Sequence, residues 1–211
     1  DVDEAVQAAE RARHQPAWAN LKRHERAGIL HRIAAGIRAK DIARWLGGYQ
    51  AIIRVMPNTP AQIQLGVSAL YAMPEVTQAQ HVQAETILKA VGEILWLDEE
   101  AKMNAVTAIS GSGPAYVFYF IEAMQQAALE LGLNADQAKT LSLQTFIGAS
   151  KLAEQSHESP ATLRSQVTSK GGTTEQAILT MESATVKSSI IKAAKAAAAR
   201  SEELGDILGK D

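Results

Sequence analysis

The sequence predicts a mainly helical fold with a short extended portion ahead of the helices, and three observations carry that reading. Alanine is abundant while aromatic residues make up 5% of the chain, a balance that favours helix and lets helices approach closely. From Thr77 onward, candidate N-caps (Thr77, Asn134, Ser159) and glycine stops (Gly92, Gly132) punctuate runs of apolar residues. The run Ala51-Ile-Ile-Arg-Val-Met56 is rich in β-branched residues and is stopped by Pro57 and Pro60, so it reads as a strand.

In chain order, 3–13 reads as a helix with Val6 and Ala9 on one side. A second runs from Trp18 to Arg38, with Ile29, Leu30, Ile33 and Ile37 at helical spacing. Asp41 to Leu46 is a short helix ended by Gly47-Gly48. After the strand, 66–71 is a second extended piece. Thr77 caps a helix to about Val91, and 93–97 reads as a short strand. Pro114 suits the first turn of a long apolar helix closed by Gly132. Asn134 caps the next, to about Gln155, and Ser159-Pro160 opens another. Gly171-Gly172 breaks the chain before a helix that starts at Thr173 or Thr174. Thr185 opens the last, to about Leu208. The composition shifts near residue 33, from charged and rich in Arg and His to a strand–turn–helix pattern, and the domain boundary is placed there.

The chain has 211 residues, 46% of them hydrophobic, enough for a sizeable core. Its net charge of −2, with both signs interspersed, implies neither a nucleic-acid footprint nor a polybasic membrane patch. There is no cysteine, which excludes disulfides, thiolate metal sites and a cysteine nucleophile. No apolar run approaches the roughly 20 residues that span a bilayer. The acidic start Asp1-Val2-Asp3-Glu4 is unlike a leader peptide, so a cytoplasmic location is expected. The five histidines are scattered, and no metal site is expected.

Three motifs carry chemistry. In Val167-Thr168-Ser169-Lys170-Gly171-Gly172-Thr173-Thr174, small hydroxyl residues and two glycines stand directly before a helix. Glycines let backbone N–H groups converge, and a helix N-terminus favours an anion, so the turn suits a carboxylate or phosphate. The alternative is an ordinary loop with a threonine cap. Ile109-Ser-Gly-Ser-Gly-Pro-Ala-Tyr116 imitates a dinucleotide fingerprint imperfectly, with Tyr116 at the third glycine position. A sharp turn between two packed helices is the better reading of it. Arg54-Val-Met-Pro-Asn-Thr-Pro60 is a rigid strand exit offering Asn58 and Thr59 as donors and acceptors, either for a ligand or for a plain Asx turn.

Taken in this order and spacing, these motifs resemble pyrroline-5-carboxylate reductase, with Thr168-Ser-Lys-Gly-Gly-Thr-Thr174 matching that family's signature. The resemblance runs from about Ile33 to Asp211 and also takes in Ile33-Ala-Ala-Gly-Ile37. Residues 1–32 instead resemble an early helical stretch of aldehyde dehydrogenases, through Asp1-Val-Asp-Glu-Ala-Val-Gln-Ala-Ala9 and Trp18 to Ile33. Aldehyde dehydrogenase activity is excluded, because that chemistry needs a cysteine thiolate.

The reductase resemblance implies a helical dimerisation domain of the 6-phosphogluconate-dehydrogenase-like type over 61–211. Ahead of it stand a truncated remnant of a Rossmann α/β domain over 33–60 and an extra segment over 1–32. It implies reduction of 1-pyrroline-5-carboxylate to L-proline with NADP or NAD as cofactor. It also implies a homodimer, with assembly as far as a decamer. Ser169, Gly171, Gly172, Thr173 and Thr174 would bind the substrate, with Thr174 catalytic. Ala35, Gly36, Met56, Pro57, Asn58, Ser112 and Gly113 would meet the cofactor. The family's first βαβ units and glycine-rich nucleotide loop have no counterpart in this sequence. The competing reading is therefore a catalytically inactive module that only oligomerises and binds ligand.

Overall fold

The computed structural model describes residues 36–210. The helix expected over 3–13, most of that over 18–38 and the extra segment 1–32 lie outside those residues. Within them the chain forms two compact units, 36–114 with 194–210, and Ala115–Ala193.

The first unit opens on α1 (Ala39–Trp45). Arg38, expected to be helical, is instead extended and stands at its N-cap. Strands β1 (Ile53–Met56), β2 (Gly66–Ala72) and β3 (Gly92–Trp96) form one sheet in the order β1-β2-β3. β1 pairs antiparallel with β2, placing Met56 opposite Ala69, and β2 pairs parallel with β3, placing Leu70 opposite Trp96. Pro57 and Pro60 end β1 as their missing donors dictate, and Thr59–Ile63 coils into a 3-10 turn. The parallel pair is joined by α2 (Gln78–Leu88), whose Thr77 and Gln80 complete a reciprocal capping box. At the start of that pair a Cβ on Gly92 would fall 1.9 Å from the Gly66 carbonyl oxygen, so only glycine allows the two backbones to meet.

Behind the sheet, Met103 begins α3 (Met103–Val106) and packs with Met56 and Ala69 in the core. Instead of the sharp turn expected at Ile109 to Tyr116, the backbone stays helical. Thr107–Gly111 forms a π turn, closed by the Ser112 N–H donating to the Thr107 carbonyl at 2.8 Å. The next helix, α4 (Gly113–Glu130), then begins with Pro114 at a position where a missing N–H costs nothing. Glu100 ties the unit together: its Oε1 accepts from Ala39 N at 2.6 Å and from Arg54 Nη1 at 2.9 Å. The end of the last helix belongs here too. Ser201 Oγ donates to Asn104 Oδ1 at 2.9 Å, and Asp206 pairs with Arg38, whose pKa it raises through that hydrogen bond.

The second unit is helical throughout. It holds most of α4, then α5 (Ala135–Gln155), α6 (Pro160–Gln166), α7 (Thr173–Ser183) and the first part of α8 (Val186–Leu208). Asn134 and Gln137 form a second capping box, and Ser159 caps α6 by accepting from Thr162 N. Gly132 (φ +93°) ends the preceding helix in the left-handed conformation. Between 115 and 193 only Ala138 and Ser142 are buried. Phe118 is 65% exposed, Tyr119 71%, Leu152 66% and Ile147 53%. Helices this apolar, with so little buried within one chain, present the kind of surface that marks an interaction site.

Candidate functional site

The sequence-derived candidates fall into two groups, one in each unit. The group in the first unit surrounds the exit of β1. Asn58 follows Pro57 in extended conformation (φ −124°, ψ 166°), which aims its amide across the sheet end. Its Oδ1 accepts from Val67 N at 2.9 Å, and its Nδ2 donates to Ser110 Oγ at 3.2 Å. One side chain thus joins the β1 exit, the start of β2 and the π turn. Pro57, Asn58, Ser112 and Gly113 are half-buried, and nothing lies within 4 Å of the place where a Cβ on Gly113 would stand. Space for a flat ligand against backbone is available there. Met56 is 1% exposed and belongs to the core, so any contact with a ligand would be through its backbone. Gly36 is buried; a Cβ on it would meet Leu208 Cδ1 at 2.8 Å, so it serves the packing of α8. Ala35 lies outside the described residues. Ser110 stands in a motif read from the sequence but is not among the expected site residues; its link to Asn58 spans 52 positions and leaves no local signal.

The group in the second unit is the turn between α6 and α7. Gly171 is left-handed (φ +75°), as its lack of a side chain allows. Gly172 is the N-cap of α7 with ordinary extended angles (φ −87°, ψ 172°). Its requirement is spatial: a Cβ would fall 2.5 Å from Ser169 Oγ and 3.0 Å from the Ser169 carbonyl oxygen. Two donors of the turn are used internally. Gly172 N–H donates to Ser169 O at 3.0 Å, and Gly171 N–H donates to Glu175 Oε2 at 2.7 Å. The N–H groups of Thr173 and Thr174 have no partner among the described residues. Since Gly172 offers no side-chain cap, α7 begins with open donors at the positive end of its dipole, with the half-buried Thr174 hydroxyl beside them. A helix start with open N–H groups is suited to an anion such as a carboxylate. Ser169 and Thr173 are exposed on the same turn. Glu175, three residues past the cap, is the further residue that the sequence reading left out; the spacing of a capping box was its signal.

Among the described residues there is no cluster of side chains able to hold a metal ion, and no helix long and apolar enough to cross a membrane. The geometry defines a class: a mainly helical protein in which a helix start with open N–H groups stands in a unit rich in exposed apolar side chains, and a small three-stranded sheet stands in the other unit.

Comparison with known proteins makes this specific. A profile of the pyrroline-5-carboxylate reductase dimerisation domain matches residues 100–204. Pyrroline-5-carboxylate reductase of Pseudomonas aeruginosa is 47% identical over 182 residues, covering 86% of this chain and 67% of that protein. Pyrroline-5-carboxylate reductase 2 of Bacillus subtilis is 39% identical over 82% of this chain and 62% of its own length. A solved reductase from Coxiella burnetii superposes with a TM-score of 0.76 at 43% identity, covering 80% of this chain and 63% of that one. The Plasmodium falciparum enzyme, solved with NADP bound, gives 0.75 at 30% identity, covering 81% of this chain and 68% of that one. The chain belongs to the pyrroline-5-carboxylate reductase family. It spans about two thirds of the length of the relatives it matches.

Proposed function

We propose that this chain carries the substrate-binding and dimerisation portion of an NAD(P)H-dependent reductase that converts 1-pyrroline-5-carboxylate to L-proline. The observation that supports it best is the start of α7, where Thr173 and Thr174 present unpartnered amides in the turn that carries the family's signature. When bound, NAD(P)H supplies the hydride. The chain's own residues do the rest. The amides of Thr173 and Thr174 take the substrate carboxylate, and the Thr174 hydroxyl, able to donate and accept, holds the ring nitrogen side. Ser169 lines the same turn. Fixing the imine carbon in this way converts a two-body encounter into a positioned one, an effect worth roughly 7–11 kcal/mol of barrier when both reactants are held.

Pro57, Asn58, Ser112 and Gly113 fit the nicotinamide end of the cofactor, since their exposed backbone and the open side of Gly113 suit a flat ring. Met56, Gly36 and Ala35 complete the proposed cofactor segment by position in the chain. The described residues do not fit the pyrophosphate: the sequence Ser110-Gly111-Ser112-Gly113 lies in and after a π turn rather than after a strand. Assembly beyond the dimer, to a decamer, and a cytoplasmic location complete the proposal.

Titration with L-proline, followed by backbone amide NMR, tests the assignment. The amides of Thr173 and Thr174 are expected to shift first. Thr174→Ala is expected to weaken binding by roughly 0.5–1.5 kcal/mol, the net worth of one hydrogen bond. Stationary amides at 173 and 174 under saturating L-proline would remove the loop from the substrate site. NADPH affinity, measured separately, distinguishes a working reductase from a ligand-binding module.

A further inference from the structure

Glu175 is absent from every role assigned so far, yet its carboxylate makes a short contact within the signature turn. Oε2 accepts the Gly171 N–H at 2.7 Å. In a capping box, the acid at the third helical position reaches back to the N-cap amide, while the N-cap hydroxyl closes a donor of the first turn. The two boxes at Thr77–Gln80 and Asn134–Gln137 are of that kind. At α7 the pattern is displaced and halved. Glu175 is at the third helical position but reaches one residue further back, to Gly171, and the N-cap is Gly172, with no side chain to close anything. The acid half is present; the hydroxyl half is missing.

From this we infer that Glu175 is a positioning residue for the carboxylate site. A charge-assisted bond to a backbone amide is about twice as strong as a neutral one. Here it fastens the amide of the one residue in the turn with a left-handed backbone, Gly171 at φ +75°. That residue sets the direction in which the chain enters α7, and so the direction of the open Thr173 and Thr174 amides. Glu175 also fills the Gly171 donor itself, so a ligand meets the amides at the helix start and not that of Gly171. The inference rests on the proposed carboxylate site and assigns what holds it in shape.

A simple electrostatic view gives the opposite expectation. Glu175 brings a negative charge to a site for an anion, so removing it should tighten binding through lost repulsion. The two effects separate in a pair of variants. Glu175→Gln removes the charge and keeps an acceptor for Gly171 N–H; Glu175→Ala removes both.

The experiment uses the full chain and L-proline as the probe, with pyrrolidine, the same ring without the carboxylate, as a control. Titrations of wild type and both variants are followed by amide NMR, alongside thermal unfolding. Glu175→Ala is expected to raise the Kd for L-proline about tenfold and to shift the Gly171 amide of the free protein towards a solvent-exposed value. Glu175→Gln is expected to stay within about threefold of wild type, rescuing the alanine effect. Pyrrolidine should bind weakly and equally to all three. Two results overturn the inference alone: unchanged affinity in Glu175→Ala while wild type binds L-proline, or tighter binding in both variants, which would make Glu175 a competitor for the site. A wild-type chain whose loop takes up no L-proline overturns the carboxylate reading and this inference together.

Discussion

Replacing Gly172 by alanine tests whether the signature turn is held by sterics or by backbone freedom. With φ −87° and ψ 172°, Gly172 occupies a region open to every residue, so alanine adds no backbone strain. Its methyl group, however, would lie 2.5 Å from Ser169 Oγ and 3.0 Å from Ser169 O. The hydroxyl can rotate away; the carbonyl must move by a few tenths of an ångström, and it accepts the Gly172 N–H. Overpacking costs about 1–3 kcal/mol, and an exposed turn belongs at the low end, about 1 kcal/mol. Gly171 gives the contrast. Nothing lies within 4 Å of its Cβ position, but its φ of +75° would cost an alanine roughly 1–2 kcal/mol. Chemical unfolding of Gly172→Ala, Ser169→Ala and the double variant, with L-proline affinity measured on each, separates the causes. The double variant keeps the Ser169 carbonyl, so it should retain most of the loss and recover only the small part owed to turning the hydroxyl aside. Full recovery in the double variant, or a Gly172→Ala chain as stable and as tight-binding as wild type, would refute the account in which the carbonyl must move.

Further outcomes follow from other parts of the molecule. Light scattering should show a dimer at micromolar concentration, and Phe118→Glu, at a side chain 65% exposed in the single chain, should drive it towards monomer; an unchanged mass would exclude that face from the interface. Glu100→Ala removes the acceptor that the 6% exposed Arg54 and the Ala39 amide share and should destabilise the first unit by about 1–3 kcal/mol in denaturant unfolding, the cost of lost hydrogen bonds to a charged group. Lys102→Ala, which breaks an exposed pair with Asp98, should leave stability almost unchanged, and a loss equal to that of Glu100→Ala would show that burial is not what matters. The Trp96 indole N–H, followed by the Lys89 ammonium, holds the Glu85 carboxyl below its ordinary value of 4.5. Its folded pKa is the depressed one, so this contribution is complete above the unfolded value and is lost as pH falls through the folded one. The Trp96 indole N–H resonance should therefore titrate below pH 4.5 and cease to do so in Glu85→Gln; a midpoint at or above 4.5 would contradict the contact.

Where a residue acts on its near neighbours, the sequence is readable. Pro57 and Pro60 stop β1, Asn134 caps α5 three residues before its Gln137 partner, and Gly132 closes α4 in the left-handed conformation. These effects span a few positions, and the residue type dictates them. The π turn was not legible, because small polar residues at Ser110-Gly-Ser-Gly suggest a break, whereas one Ser112 to Thr107 bond keeps the backbone helical. Nor was the role of Asn58 as a brace between β2 and Ser110, which depends on residues brought together by the fold. In the signature turn the location was legible from glycine and hydroxyl chemistry, but not the division of donors. Two amides of the turn are consumed by Ser169 and Glu175, and only the structure shows which remain.

The stretch 115–193 buries only Ala138 and Ser142 within its own chain, and this has a thermodynamic consequence. If its apolar helices gain their burial by pairing, their folding free energy contains the protomer concentration. Each tenfold dilution then removes about 1.4 kcal/mol per dimer, and the melting temperature becomes a property of the solution as much as of the sequence. Mass action sets a floor on expression level below which these helices cannot stay ordered. Substitutions on Phe118, Ile147 or Leu152 would then register as lost abundance before any kinetic constant changed.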